Sequence, residues 1–142
     1  MSTLTPLLAL IVWTFVIWFW MYATRLPAMR AAKLDPARIK RKEELDVLPV
    51  GVKQIADNYA HLHEQPTIFY ALAIYSHLAD MADPINVALA WTYVGIRIVH
   101  SLIQCTWNFV PVRFLVFNLG TLVLIAMTVR NVIALFPPRV VM

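Results

Sequence analysis

Apolar and polar residues divide the chain into four long segments joined by one long and two short connections. Residues 7–23 are apolar apart from Thr14, which predicts a helix over 5–25 long enough to cross a bilayer. Trp13, Trp18, Trp20 and Tyr22 crowd this segment. Such amphipathic rings favour the headgroup level, so part of the cluster marks an interface. A polar connection follows over 26–51, with Pro27, Pro36 and Pro49 and the basic run Arg38, Lys40, Arg41 and Lys42. Within it, Asp35-Pro36 predicts the start of a short amphipathic helix.

A second helix is expected over 52–79. Its first half carries Lys53, Gln54, Asp57, Asn58, His61, His63 and Glu64, and its second half is apolar from Ile68 to Leu78. Pro66 stands where the character changes and predicts a kink. After a turn holding Asp80 and Asp83, a third helix over 84–107 starts on Pro84 and is apolar apart from Arg97, His100 and a few uncharged polar groups. Asn108 to Pro111 forms a turn. A fourth helix over 112–136 stops at Pro137 and Pro138, and Gly120 suits close helix packing. No internal repeat or low-complexity segment interrupts this pattern. It predicts an all-α membrane protein, a four-transmembrane-helix bundle formed as a single domain over 1–142.

Composition supports lipid as the solvent. Hydrophobic residues make up 61% of the 142 and charged residues 14%, against about 25% charged in soluble domains. Eight of the twelve Lys and Arg residues lie between Arg25 and Lys53. That clustering reads as membrane topology and not as a nucleic-acid footprint. The connection after the third helix holds Arg113, while the turn after the second holds two aspartates and no cation. The positive-inside rule therefore puts both termini outside and the long basic loop in the cytoplasm, with Arg139 as a single opposing charge. The first apolar run lacks a basic leader and is too long and aromatic for a cleaved signal, so it reads as a retained helix. With the short loops and no retrieval signal, a bacterial inner membrane is favoured, with an endomembrane second. The single cysteine, Cys105, excludes an intrachain disulfide and any multi-cysteine metal site, and reads as an inert buried thiol. No G-x-S-x-G, G-K-[ST] or C-x-x-C occurs, which removes the corresponding hydrolase, phosphate-loop and zinc signatures.

Ionisable groups inside a bilayer cost about 2.5–3.5 kcal/mol each on insertion scales, so they are functional candidates by default. Asp57, His61 and Glu64 fall at i, i+4 and i+7, and Arg97, His100 and Gln104 at i, i+3 and i+7. Each set predicts one stripe on a helix. A buried Arg97–Glu64 pair between the two helices would neutralise both charges and is the structural alternative to a ligand-binding role for these two residues. A cavity lined by Arg30, Arg97, Arg113 and Lys33 would suit an anionic ligand, because guanidinium forks match carboxylates. Glutathione fits such a site in size and charge, and nearby arginine lowers the pKa of a thiol.

These residues resemble the MAPEG family, the membrane-associated proteins in eicosanoid and glutathione metabolism. Arg97-Ile-Val-His100, followed by Val110-Pro111-Val112-Arg113, is similar in type and spacing to the family's segment joining helices 3 and 4 in its prostaglandin E synthase branch. His61-Leu62-His63-Glu64-Gln65-Pro66, followed by Phe69, resembles the asparagine, two residues, glutamate, proline and aromatic pattern on helix 2. Ala28-Met29-Arg30-Ala31-Ala32-Lys33 is like the basic segment after helix 1. The resemblance implies a homotrimer with glutathione as co-substrate near the cytoplasmic side and a hydrophobic small molecule arriving from the membrane lipids. Arg113 would then stabilise the thiolate, and Arg30, His61, Glu64, Arg97, His100 and Gln104 would bind the peptide. The implied function is that of a glutathione-dependent membrane transferase or peroxidase acting on hydrophobic electrophiles or lipid peroxides. The chain departs from the family pattern at Asp57 and Ala60, where relatives have arginine, at His61 for asparagine, at Gln104 for tyrosine and at Phe114 for serine.

Other classes remain open on the sequence. A non-catalytic lipid-binding scaffold of the same fold agrees with the missing arginines at positions 57 and 60. A haem-binding bundle would need paired histidines, and of His61, His63, His77 and His100 only His61 with His100 can face each other. An ion or solute channel ranks last, because no repeated polar stripe runs through the helices.

Overall fold

The structure, a computed structural model, describes residues 2–137. Five α-helices carry the fold: α1 (Leu4–Ala31), α2 (Val50–His61), α3 (Gln65–Leu78), α4 (Pro84–Cys105) and α5 (Val110–Ala134). Pro138 and Arg139, which entered the expected helix end and topology, lie outside the described residues.

α1 runs six residues past its expected end and passes through Pro27. Proline removes one amide donor, a small loss in the last turns of an exposed helix end. The helix stops without glycine. Lys33 adopts φ 55°, its N–H donates to Arg30 O at 3.0 Å, and Leu34 N–H donates to Met29 O at 3.0 Å. That is a Schellman end with lysine in the left-handed position. Asp80 closes α3 in the same way at φ 54°, with Met81 N–H donating to Ser76 O at 2.8 Å. The expected amphipathic helix at Pro36 is a single three-residue 3-10 turn, Pro36–Arg38, capped by Asp35 Oδ1 accepting from Ala37 N–H at 3.0 Å. A second such turn covers Lys42–Leu45.

The second expected helix is two helices. α2 stops at His61, residues 62–64 turn, and α3 starts with Pro66 in its first turn. Pro66 has no N–H for the Leu62 carbonyl and its ring crowds the preceding turn, so the chain breaks there instead of bending through. Leu62 and Pro66 are both buried at the break, which fixes it against the rest of the bundle.

Among the described residues, α1, α4 and α5 are long and apolar enough to cross a membrane, with mean hydropathies of 2.0, 1.2 and 2.0. Neither half of the broken segment reaches that length, so the expected four continuous spans reduce to three plus a broken pair. The outer faces of α1 and α5 present Phe15, Phe19, Leu115, Leu122 and Ile125, apolar surface that suits acyl chains. Inside, α1 packs on α2, α3 and α4, and α4 packs along α5. Phe69 and Tyr93 stack at the centre with ring centroids 4.7 Å apart, and the small Ala73 and Ala90 are fully buried beside them. Small residues at such contacts let helix backbones approach closely.

Polar links tie the end of the bundle opposite the long loop. Asp83 caps α4, its Oδ1 accepting from Asn86 N–H at 2.7 Å, while its Oδ2 pairs with Arg130 of α5. Arg130 Nε also donates to Asn86 Oδ1 at 2.9 Å. Arg130 thus answers one of the two aspartates that the sequence leaves uncompensated in that turn. Asp83→Ala is expected to destabilise the fold by about 1–2 kcal/mol through loss of the cap alone. Thermal unfolding in detergent measures this, and an unchanged midpoint would show that the cap contributes nothing.

Candidate functional site

The break after α2 opens one wall of a cavity of about 370 Å³. His61, at the end of α2, and Glu64, in the break, face Arg97 and His100 of α4 and Arg113 of α5 across it. These five groups are far apart in sequence, and two local features bring them together. Arg97 and His100 are one helical turn apart on the inner side of α4. Arg113 lies in the first turn of α5, right after the tight connection 106–109. Asn108 in that connection takes φ 50°, a left-handed conformation that asparagine tolerates. Its Oδ1 accepts a hydrogen bond from Arg113 Nη1, so the turn residue aims the guanidinium.

Arg97 is 1% exposed, and its Nε and Nη2 have no hydrogen-bond partner among the described residues. The alternative of an Arg97–Glu64 ion pair is not realised; the two residues line the same cavity without meeting. His100 is 4% exposed, and its Nδ1 is likewise unpartnered. Buried donors and acceptors are nearly always satisfied, and leaving one unsatisfied costs about 1–3 kcal/mol, more when it is charged. These atoms leave unmet hydrogen-bonding capacity on two residues that line the cavity.

The expected stripe of Asp57, His61 and Glu64 is not present as such. α2 ends at His61, so Glu64 belongs to the break, and Asp57 turns away to Lys42 with an N···O distance of 3.7 Å. Gln104 does not line the cavity. It stands behind His61, its Nε2 lying 3.0 Å from His61 Nδ1 and its Oε1 accepting from Asn58 Nδ2 at 3.2 Å. His61 Nδ1 also lies 3.1 Å from Gln104 Oε1, so the imidazole accepts from the amide nitrogen in one tautomer and donates to the amide oxygen in the other. Asn58 Nδ2 also donates to Ser101 Oγ at 3.2 Å, which anchors this chain of amides between α2 and α4. Gln104→Leu would leave Asn58 and His61 without these partners. It is expected to lower stability by roughly 1–3 kcal/mol, read by thermal unfolding, and an unaffected midpoint would mean the chain of amides is dispensable.

Arg30 and Lys33 sit exposed at the end of α1 and do not line the cavity of a single chain. His63 and His77 are exposed and also lie off the cavity. Only His61 and His100 come to the same wall. Cys105 is buried at the end of α4.

Gln65 is the polar lining residue that the sequence reading missed. It opens α3, donates from Nε2 to Thr121 Oγ1 at 2.7 Å and accepts at Oε1 from Tyr93 OH at 3.2 Å. It thereby joins α3, α4 and α5 at the cavity floor. Its position four residues after His61 carries the signal, hidden by the assumption of an unbroken helix. The remaining wall is apolar, formed by Val110, Phe114 and Phe117 of α5. Phe114 is 68% exposed, so this wall opens onto the outer surface of the single chain.

The MAPEG family model matches residues 3–133. No curated protein and no solved structure matches the chain. The matched region begins at the N-terminus of α1 and ends within the last turn of α5, so it takes in every helix and all the cavity residues. With three helices apolar and long enough to cross a membrane, the chain is an integral membrane protein that belongs to the MAPEG family.

Proposed function

We propose that the cavity binds glutathione and activates its thiol for transfer to hydrophobic electrophiles, or for reduction of lipid peroxides. The observation that carries this reading is that two arginines, one of them with unpartnered guanidinium nitrogens, line a cavity whose other wall is made of exposed phenylalanine. Family membership supports a role in glutathione or eicosanoid metabolism. The volume lies within the roughly 300–1,000 Å³ range of small-ligand sites.

Arg97 and His100 offer buried hydrogen-bonding atoms to a carboxylate of the peptide. Glu64, the one carboxylate on the wall, suits its ammonium group. Arg113 stands at the end nearest the phenylalanines, where a cationic neighbour favours the thiolate over the thiol. The thiol proton leaves to solvent, and the sulfur lone pair forms the bond to the electrophilic carbon as the leaving group departs with its electron pair. With a hydroperoxide, the same sulfur attacks the outer oxygen and the alcohol is released. A second glutathione then reduces the sulfenic acid, giving disulfide and water. The co-substrate enters past Phe114 and Phe117, whose rings offer apolar contact but no hydrogen bond.

Arg30, which stands away from the cavity within one chain, would complete the site from a neighbouring copy in a homotrimer. In the same reading the α2–α3 pair makes a fourth pass, both termini lie outside, and the basic loop is cytoplasmic in a bacterial inner membrane. Calorimetry on the detergent-solubilised protein, with thiolate absorbance recorded at neutral pH, tests the proposal. Binding with a thiolate signal supports it. No binding at millimolar glutathione would overturn it and leave a lipid-binding scaffold on the same fold, with the departures at Asp57, Ala60 and Gln104 as the cause.

A further inference from the structure

A second cavity, of about 250 Å³, lies between the final turns of α1, the turn Lys42–Leu45 and the start of α2. Arg25, Lys42 and Lys53 line it together with two carboxylates, Asp46 and Asp57, and the apolar Leu48 and Val52. Two of the three cations are already engaged. Lys42 lies 3.7 Å from Asp57, and Lys53 Nζ donates to the Asp46 carbonyl at 3.1 Å. Arg25 is half-buried and has no carboxylate within ion-pair distance among the described residues.

The depth of the cavity follows from the aromatic cluster below it. Trp18 and Tyr22 pack together on α1, ring centroids 4.7 Å apart, and such residues settle at the headgroup level. At 1.5 Å per residue, Arg25 stands about 5 Å beyond Tyr22 along the helix axis, which is phosphate depth. Arg25, the one lining cation not already engaged among the described residues, stands over an apolar floor at that depth, which suits an amphiphile whose phosphate meets the guanidinium while its glycerol and first methylenes lie against Leu48 and Val52. A free phosphate has the same charge chemistry but gains nothing from the floor.

We propose that this cavity binds the phosphate of an anionic phospholipid, with Arg25 as the principal phosphate-binding side chain and Lys53 and Lys42 beside it. The Lys42–Asp57 pair is half-exposed, so it is weak and yields to a stronger anion. The proposal is independent of whether the larger cavity holds glutathione.

The test is native mass spectrometry of the full chain in detergent, titrated separately with phosphatidylglycerol, phosphatidylcholine and inorganic phosphate. Saturable phosphatidylglycerol binding is expected, with the other two much weaker. Arg25→Gln should weaken it about five- to tenfold, whereas Lys40→Gln, the same charge loss on the same loop outside the cavity, should leave it unchanged. Lys53→Gln probes the same cavity and should shift binding in the same direction even if Arg25→Gln fails to fold. Equal losses in Arg25→Gln and Lys40→Gln would overturn the proposal in favour of diffuse attraction to the basic loop. Inorganic phosphate binding as tightly as the lipid would overturn it in favour of a free-anion site.

Discussion

Replacing Arg113 with alanine is expected to reduce turnover of a thiol-reactive aromatic halide by about 10²–10³-fold, with loss of the thiolate absorbance at neutral pH. The magnitude is that of removing one preorganised group facing a developing or stabilised anion in a water-poor site. Arg113 is held by Asn108 at one end of the cavity, so its loss removes a charge without disturbing the packing of α4 against α5. Glutathione affinity should change much less than turnover, because Arg97, His100 and Glu64 remain. A variant that keeps the wild-type rate and thiolate signal would sink the assignment of Arg113. Asn108→Ala should reproduce part of the effect, since it releases the guanidinium from its aim.

Arg97→Met is expected to move two observables in opposite directions. Glutathione affinity should fall roughly ten- to a hundredfold, the range for losing a buried charge-assisted hydrogen bond. Stability of the unliganded protein should rise by about 1–4 kcal/mol. An uncompensated buried charge is costly, and an apolar side chain of similar length is a known remedy. Arg97 is 1% exposed with two nitrogens unpartnered, so it lies on the costly side of that balance. A binding loss accompanied by a higher unfolding midpoint would identify Arg97 as a group retained for function at the expense of stability. A lower midpoint would show that Arg97 holds the bundle together, and the reading of its orphaned nitrogens would fail.

Periodicity and composition locate the long helices, because a stretch of 18 or more residues that is predominantly apolar and carries few charges has few alternatives to a membrane helix. α1, α4 and α5 are such cases. The broken segment was harder. Its first half has helical character and a moderate polar content, so nothing in the pattern separates a kink at Pro66 from a full stop at His61. Burial of Leu62 and Pro66 against the bundle decides it, and that is tertiary information. The ends at Lys33 and Asp80 were illegible for a related reason. A left-handed helix end normally announces itself by glycine, and here lysine and aspartate occupy it.

At the site, His61, Glu64, Arg97, His100 and Arg113 were legible as ionisable residues in or beside apolar helices, and they converge on one wall. Gln104 was assigned to the ligand on spacing alone. Its neighbours on α2, Asn58 and His61, instead claim both ends of its amide. Arg130 escaped notice because its partner, Asp83, lies across a different helix and 47 positions away in sequence.

A helix of 14 residues such as α3 reaches only about 21 Å, short of the ~30 Å hydrocarbon layer. The helix before it is too polar to make up the difference by partitioning alone. A translocation channel that sorts nascent segments by hydrophobicity would therefore find no clear stop signal between α1 and α4. The expected order of assembly during synthesis is that α1 commits first and the broken pair, which packs on α1 as well as on α4 and α5, completes its packing when α4 and α5 arrive. Halting synthesis before α4 should leave that stretch accessible to glycosylation or protease from the wrong side, and releasing the halt should protect it.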